Sequence, residues 1–458
     1  MGVIIKDKKD KQLYKSIFAI GIPITLQQLV SFSVSMADAV MLGWASEADE
    51  LISAASLANQ LFFLFMLTMV GLTGGGITLA AQYWGKGDVE SIRKIVAMIL
   101  HAGVIISFTA GTAVLLFPAD VMGLFTKNAV IIEKGVEYLR IVGYSYFMCG
   151  ISFTLMAMLR SVEIVKISLF TDLASLAISV FLNWVLIFGN MGFPALGIKG
   201  AAIATLIARF VGFAVFAVYV FAIDKRLKFR VKDIFRFDGR LFGDLVKYGF
   251  PVLLNETIWA LAIVVQAAII GHIEYAKGDP VAASAAANQV FQLFSAAIIG
   301  ISNAAMITVG KSVGEGDSGE ARRKAGTFFG ISVVLGVICC ALILLSRDLT
   351  VRAFDLSFET QALAKQLLFV TAFVIIFSSI ASMSIIGTLR GGGDTRFCLI
   401  VELAALWGFA LPLSAVFAFV LKLPVAAVMV GMKSDEAIKT VICAVRIKSG
   451  VWIKKVTR

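Results

Sequence analysis

Charge is what this chain has least of. Only 16% of its 458 residues are Asp, Glu, Lys or Arg, while 59% are hydrophobic and the mean hydropathy is +0.92. A soluble domain carries roughly 25% charge to build its wetted surface. The scarcity excludes that class and leaves an integral membrane protein. The apolar runs are continuous rather than alternating, which argues against a transmembrane β-barrel. Five cysteines fall in or near apolar runs without metal-ligand spacing and read as small packing residues. The two histidines, His101 and His272, are isolated and read as structural or interfacial. The full Gly-x-x-x-x-Gly-Lys-Ser/Thr phosphate loop does not appear, so an ATP engine is excluded. No HExxH or CxxC motif appears either. The net charge of +11 lies in a basic tail and short loops rather than in a patch suited to nucleic acid. No secretory signal peptide is expected. The first apolar run is too long, contains Pro23 and Asp38, and lacks a small-residue cleavage site.

What is present is a series of apolar runs of about 20 to 28 residues, the length that crosses a ~30 Å core. They predict an all-α protein with spans near 17–43, 52–82, 93–117, 136–159, 167–189, 196–223, 248–271, 283–310, 325–346, 361–389, 397–421 and 424–446. The expected organisation is a basic cytoplasmic tail (1–15), a six-helix lobe (16–223), a cytoplasmic linker (224–247), a second six-helix lobe (248–446) and a cytoplasmic tail (447–458). The linker holds eight Lys and Arg, and the first opposite loop, with Glu47, Asp49 and Glu50, is acidic. The positive-inside rule then places both termini in the cytoplasm. Forty glycines and 15 methionines suit helices that pack closely and slide.

The two halves repeat. Ala58-Asn59-Gln60-Leu61-Phe62 matches Ala287-Asn288-Gln289-Val290-Phe291, and Gly71 matches Gly300. Gly85-Lys86-Gly87-Asp88 matches Gly314-Glu315-Gly316-Asp317. Leu159-Arg160 matches Leu389-Arg390, and Asp172 matches Glu402. Six spans per half is even, so the repeats are parallel. Transporters built from repeats place their sites between or within the halves near the midplane.

The duplicated Gly-x-Gly-Asp reads as a helix terminator and turn, with the aspartate near the start of the next helix. Arg160 and Arg390 read as cytoplasmic helix-end cations facing the dipole and the headgroups. Lys433, Asp435, Glu436 and Lys439 in span twelve read as ion pairs on a protein-facing stripe.

An ionisable side chain inside a span is costly and asks for a reason. Asp38 lies in span one and Glu256 in span seven, each in a segment with a proline near its start. Such a carboxylate, desolvated, can take up H⁺. With oxygens from Gln27, Gln28, Asn183 or Asn255 it can instead hold Na⁺. A structural ion pair is the alternative. Asp172 and Glu402 are open between a cavity role and a buried pair, with Arg209 as one candidate partner. Asn59/Gln60 and Asn288/Gln289 also suit glue between helices.

These stretches resemble the multidrug and toxic compound extrusion family over nearly the whole chain. The resemblance rests on Pro23 through Gly43 with Asp38, Ala58-Asn59-Gln60, Gly85 to Asp88, and Leu182-Asn183-Trp184 leading to Gly189. Gly197 through Thr205 and Leu389-Arg390-Gly391-Gly392-Gly393-Asp394-Thr395 complete it. It implies twelve transmembrane helices in two lobes around a V-shaped cavity, no enzymatic activity and no cofactor. It implies export of amphipathic organic compounds, often cationic, against entering Na⁺ or H⁺. It marks Asp38 and Glu256 as coupling acids. The NorM-like branch has a further acid where this chain has Ser379. The DinF-like branch shares Asn183 but has an aspartate where this chain has Ile187. The expected site is therefore Asp38, Glu256, Asn183, Asn255, Gln27 and Gln28, with Asp172, Glu402, Gln289 and Ser379 as secondary positions. No structural metal is expected, only Na⁺ near Asp38 or Glu256. The expected protein is a monomeric multi-pass xenobiotic exporter of the inner membrane that binds no nucleic acid. The alternative is a flippase for lipids or lipid-linked oligosaccharides.

Overall fold

A computed structural model describes residues 8–44, 48–273, 278–353 and 357–457, without the side chains of 8–12, 35–36, 38–40, 43, 48–50, 52 and 353. Among the described residues the regular structure is helical throughout. The principal helices are α1 (Lys8–Gly43), α2 (Ala48–Lys86), α3 (Val89–Leu116), α4 (Pro118–Gly123), α5 (Ala129–Ser161), α6 (Lys166–Phe188), α7 (Ile198–Val218) and α8 (Gly239–Gly271). They continue as α9 (Pro280–Glu315), α10 (Ser318–Ala353), α11 (Phe358–Ser382), α12 (Thr395–Glu402), α13 (Leu411–Ala415), α14 (Val425–Met432) and α15 (Ser434–Ser449). Among the described residues, eleven helical stretches are long and apolar enough to cross a membrane. The chain is an all-α, multi-pass membrane protein. Where span twelve is expected, α14 and α15 meet at Lys433, beside the cluster of charges.

Polar residues set the helix ends. Asp88 caps α3 by accepting from the Ser91 N–H, and Asn128 caps α5 through Val130 and Ile131. Asp279 caps α9 just before Pro280. These side chains satisfy backbone donors that have no partner within the helix. In Gly-x-Gly the second glycine makes the turn: Gly87 and Gly316 have φ of +77° and +83°. The first glycine does something else. A Cβ on Gly85 would lie 2.0 Å from the Lys311 carbonyl oxygen, and one on Gly314 would lie 1.9 Å from that of Gln82. The duplicated glycine is thus a backbone-to-backbone contact between the ends of α2 and α9, which turn chemistry alone does not require.

The chain forms two compact units. One comprises residues 26–80 and 88–246. There α3 and α6 pack with α5 and α7, around a core that includes Met69, Val142, Tyr146 and Ala201. The linker belongs to this unit: Arg93 Nε donates to Leu227 O at 2.6 Å, and Asp233 is buried. The other unit comprises residues 1–25, 81–87 and 247–458. In it α9, α10 and α11 pack together, and α15 packs on α11. After Ser382 the backbone of α11 widens into a π-helical stretch, Met383–Leu389, which packs on α9. A second π stretch, Leu403–Ala410, follows α12 directly.

The C-terminal segment is not a free tail. Trp452 is fully buried, and Gln82 donates to Gly391 O and Lys454 O while accepting from Val456 N. Asp394 accepts from Arg446 and Lys454 at 2.8 and 2.5 Å. A buried carboxylate needs such partners, and here the tail supplies one of them.

Candidate functional site

Two prolines lie inside the long helices α1 and α8. Proline has no N–H to give to the previous turn. One turn after each comes a buried amide: Gln27 follows Pro23 and Asn255 follows Pro251, exposed by 3% and 4%. Each amide oxygen faces an arginine.

In the unit containing α5 and α6, Gln27 bridges opposite charges. Its Oε1 accepts from Arg160 Nη2 at 2.5 Å, and its Nε2 donates to Asp172 Oδ2 at 2.8 Å. Ser31 Oγ adds a weaker contact to the same carboxylate at 3.4 Å. The amide has both a donor and an acceptor, so it can relay between a cation and an anion that do not touch.

In the other unit Asn255 Oδ1 accepts from Arg390 Nη2, and Glu256 Oε1 accepts from Arg390 Nη1 at 2.8 Å. Arg390 is buried, and the Glu256 side chain is 15% exposed. Arg390 follows the π stretch 383–389 directly. Such wide turns often occur at functional positions.

The networks are equivalent in their arginine and amide but not in their acid. Asp172 closes the first. Its repeat partner Glu402 is instead held by Lys439 at 3.1 Å, and Lys439 also meets Asp435 at 2.7 Å and Glu436 at 3.6 Å. Glu256, beside the amide on the same helix, takes the place that Glu402 leaves. Asn255 Nδ2 is left buried without a partner.

The structure thus joins Gln27 to Asp172 directly, and Asn255 to Glu256 through Arg390. Asn183 is fully buried, Gln28 half-buried and Gln289 exposed. Ser379 donates to Ser332 O at 2.8 Å, so its hydroxyl is engaged. The side chain of Asp38 lies outside the described residues. Two expectations are corrected. Arg160 and Arg390 do not face headgroups; each is drawn inward because an amide oxygen one turn past a proline accepts its guanidinium. Arg209 is not the partner of Asp172 or Glu402, which have nearer donors. The ion-pair reading of span twelve holds for Lys439, Asp435 and Glu436. His101 and His272 bond to carbonyls of their own helices, Ala97 and Ala268. The repeat alignment and the proline-plus-four amide were the available signals for the arginines.

The MatE family model matches residues 23–185 and 251–416. The chain belongs to the MatE family. Members are membrane transporters rather than enzymes and need no cofactor. The chain is 24% identical over 455 residues to the probable multidrug resistance protein YoeA of Bacillus subtilis (strain 168), covering 99% of this chain and 97% of that one. It is 26% identical over 408 residues to the multidrug resistance protein PmpM of Pseudomonas aeruginosa, covering 87% and 82%. A MATE crystal structure in complex with MaL6 superposes with a TM-score of 0.85 at 18% identity, over 96% of this chain and 97% of that one. That likeness carries the fold.

Proposed function

We propose that this MatE-family transporter is a proton-coupled antiporter that exports amphipathic, cationic organic compounds from the cytoplasm. The observation that carries the choice of ion is the pairing of Glu256 with Arg390. A carboxylate held by a guanidinium is a poor Na⁺ site, because the entering cation would meet a fixed positive charge within a few ångströms. Protonating Glu256 instead removes one charge of the pair and frees Arg390 to change partners. Asn255 Nδ2, buried and unpaired, is then available for a ligand or a rearranged acceptor. Asp38 is the second coupling acid in this reading. The working protein is a monomer of the inner membrane with both termini cytoplasmic and two six-helix lobes, 16–223 and 248–446. The substrate class is supported by the names of the relatives, multidrug resistance proteins.

The test is efflux of tetraphenylphosphonium from proteoliposomes under an imposed pH gradient or an imposed Na⁺ gradient at equal pH. The pH gradient is expected to drive wild type, and Glu256→Gln to lose about tenfold or more, the scale of one charge-assisted contact. Movement driven by Na⁺ alone would overturn proton coupling. Movement with neither gradient above passive leak would overturn antiport.

A further inference from the structure

Arg209 lies on α7, about 17 Å of helix rise from its start at Ile198 and so close to mid-membrane. A cation at that depth is expensive and pairs with an anion or faces a polar pathway. Among the described residues no carboxylate is within ion-pair distance of it. Its guanidinium stacks on Phe62, 3.6 Å from the ring centroid, and Nη1 donates to Ser145 Oγ at 2.7 Å. Neither contact cancels the charge. The side chain is only half-buried, and its nitrogens are absent from the sealed, unsatisfied groups that include Arg160 Nε and Arg390 Nε. Its spare N–H donors remain accessible.

The internal repeat shows what is missing. The step that carries Arg160 onto Arg390 and Asp172 onto Glu402 carries Arg209 onto Lys439. Lys439 is neutralised by Glu402, Asp435 and Glu436. The same step carries Thr205 onto Asp435 and Leu206 onto Glu436. The remaining equivalent acid, Asp172, is taken by Gln27. Of the three carboxylates around the second-half cation, two are absent in the first half and one is diverted. Thr205 stands one turn from Arg209 on the same face, and its Oγ1 is buried without a partner. The hydroxyl of Tyr146, whose ring meets Phe62 edge-on at 5.5 Å, is also buried without one.

From this we infer that Arg209, with Thr205, forms an anion-accepting site for the carboxylate of an amphipathic organic acid or zwitterion. The bound carboxylate occupies the place that Asp435 fills in the second half. The inference extends the range of compounds beyond cations and does not depend on proton coupling.

The test is equilibrium binding of radiolabelled cholate, an amphipathic carboxylate, to the full-length protein in phosphatidylcholine nanodiscs. Binding to empty discs is subtracted, and tetraphenylphosphonium is the cationic control. Wild type is expected to bind cholate, and Arg209→Gln to weaken it about tenfold or more, the scale of a lost charge-assisted hydrogen bond. Arg209→Lys should retain binding within about threefold, since Lys also serves at point-charge anion sites. Thr205→Asp supplies the internal acid of the other half and should abolish binding with Arg209 intact, whereas Thr205→Val should keep most of it. Tetraphenylphosphonium binding by all four variants reports that they are folded. Cholate binding absent from wild type, or unchanged in both Arg209→Gln and Thr205→Asp, would overturn the proposal. In discs of nine parts phosphatidylcholine to one of phosphatidylglycerol, an extra phosphatidylglycerol retained by wild type and not by Arg209→Gln would assign the charge to a lipid headgroup and equally overturn it.

Discussion

Consider replacing Glu256 with Gln and Arg390 with Gln, singly and together. At 2.8 Å, two unit charges attract by about 6 kcal/mol at an effective dielectric near 20. Most of that offsets the cost of removing both groups from water. Removing one partner leaves the other uncompensated, and breaking a buried pair in this way costs about 3–5 kcal/mol. Glu256→Gln should fall at the lower end of that range, because Asn255 still accepts from Arg390. Arg390→Gln should also be destabilising, since it strands a carboxylate and removes the donor to Asn255. The double variant removes both charges and leaves three neutral amides that can bond to one another. It should lose markedly less than the sum of the two, with a coupling of about 2 kcal/mol or more. Equilibrium unfolding of the purified protein in mixed detergent micelles by SDS titration measures all four corners of the cycle. Transport separates packing from coupling: the double variant should be close to wild type in stability yet fail to export under a pH gradient. A coupling below about 0.5 kcal/mol, the level at which independent sites add, would refute the pairing. Restored transport in the double variant would refute the role given to Glu256.

Other positions give independent checks. Gln27→Leu should cost about 2 kcal/mol or more by leaving Arg160 and Asp172 without the amide that joins them; the same SDS titration reads it, and a neutral result would mean that water replaces the bridge. Trp452→Ala should lose about 3–5 kcal/mol, the usual cost of emptying a buried aromatic site, and deletion after Ser449 should lower the thermal midpoint in size-exclusion assays; a fully stable truncated protein would show that the tail merely rests on the surface. Gly314→Val should destabilise by about 1–3 kcal/mol or more, because its Cβ would overlap the Gln82 carbonyl, whereas Gly326→Ala, where nothing lies within 4 Å, should not. The backbone N–H of Leu241, then that of Arg240 and the Lys94 ammonium, hold the half-buried Asp238 carboxyl below its ordinary 3.8. A depressed carboxylate contributes stability above its unfolded pKa and loses it as pH falls through the folded value. Asp238→Asn should therefore flatten the acid limb of the stability curve below about pH 4 and leave pH 7 to 8 unchanged in slope.

The membrane-embedded fold was legible because length and hydropathy decide it: a run of about 20 apolar residues has few other places to go. The observed helices extend beyond many of the expected spans, as at α8, which starts at Gly239 rather than 248. Hydropathy marks where lipid begins, not where the backbone stops hydrogen-bonding. Span twelve was the least apolar stretch, and its charges lie at the junction and first turns of α15. The partners of the buried acids were less legible. Nothing in a hydropathy profile shows that Arg390 turns inward to Asn255, or that Lys439 draws Glu402 away from the equivalent amide. Those are choices among several nearby charges, settled by three-dimensional distance. The π stretches at 383–389 and 403–410 were also invisible, since they leave no composition signature.

The asymmetry between the halves follows from one exchange of partners. An ancestral arrangement with an amide, an arginine and an acid in each half would hold Arg160 and Arg390 alike. Lys439, with two further acids on its own helix, captures Glu402. Arg390 is instead held by Glu256, the residue after Asn255, where the first half has Gln28. The converse holds at Arg209: with Asp172 retained by Gln27 and no acids at 205 and 206, its charge meets no carboxylate among the described residues. The Glu256–Arg390 pair of one half and the Arg209 of the other, which meets no carboxylate among the described residues, therefore both follow from where Asp172 and Glu402 are bound. It follows that Lys439→Gln should release Glu402 toward Asn255 Nδ2 and weaken the dependence of Arg390 on Glu256. The coupling measured in the Glu256/Arg390 cycle should shrink in that background, and an unchanged coupling would show that the two halves reached their charge patterns independently.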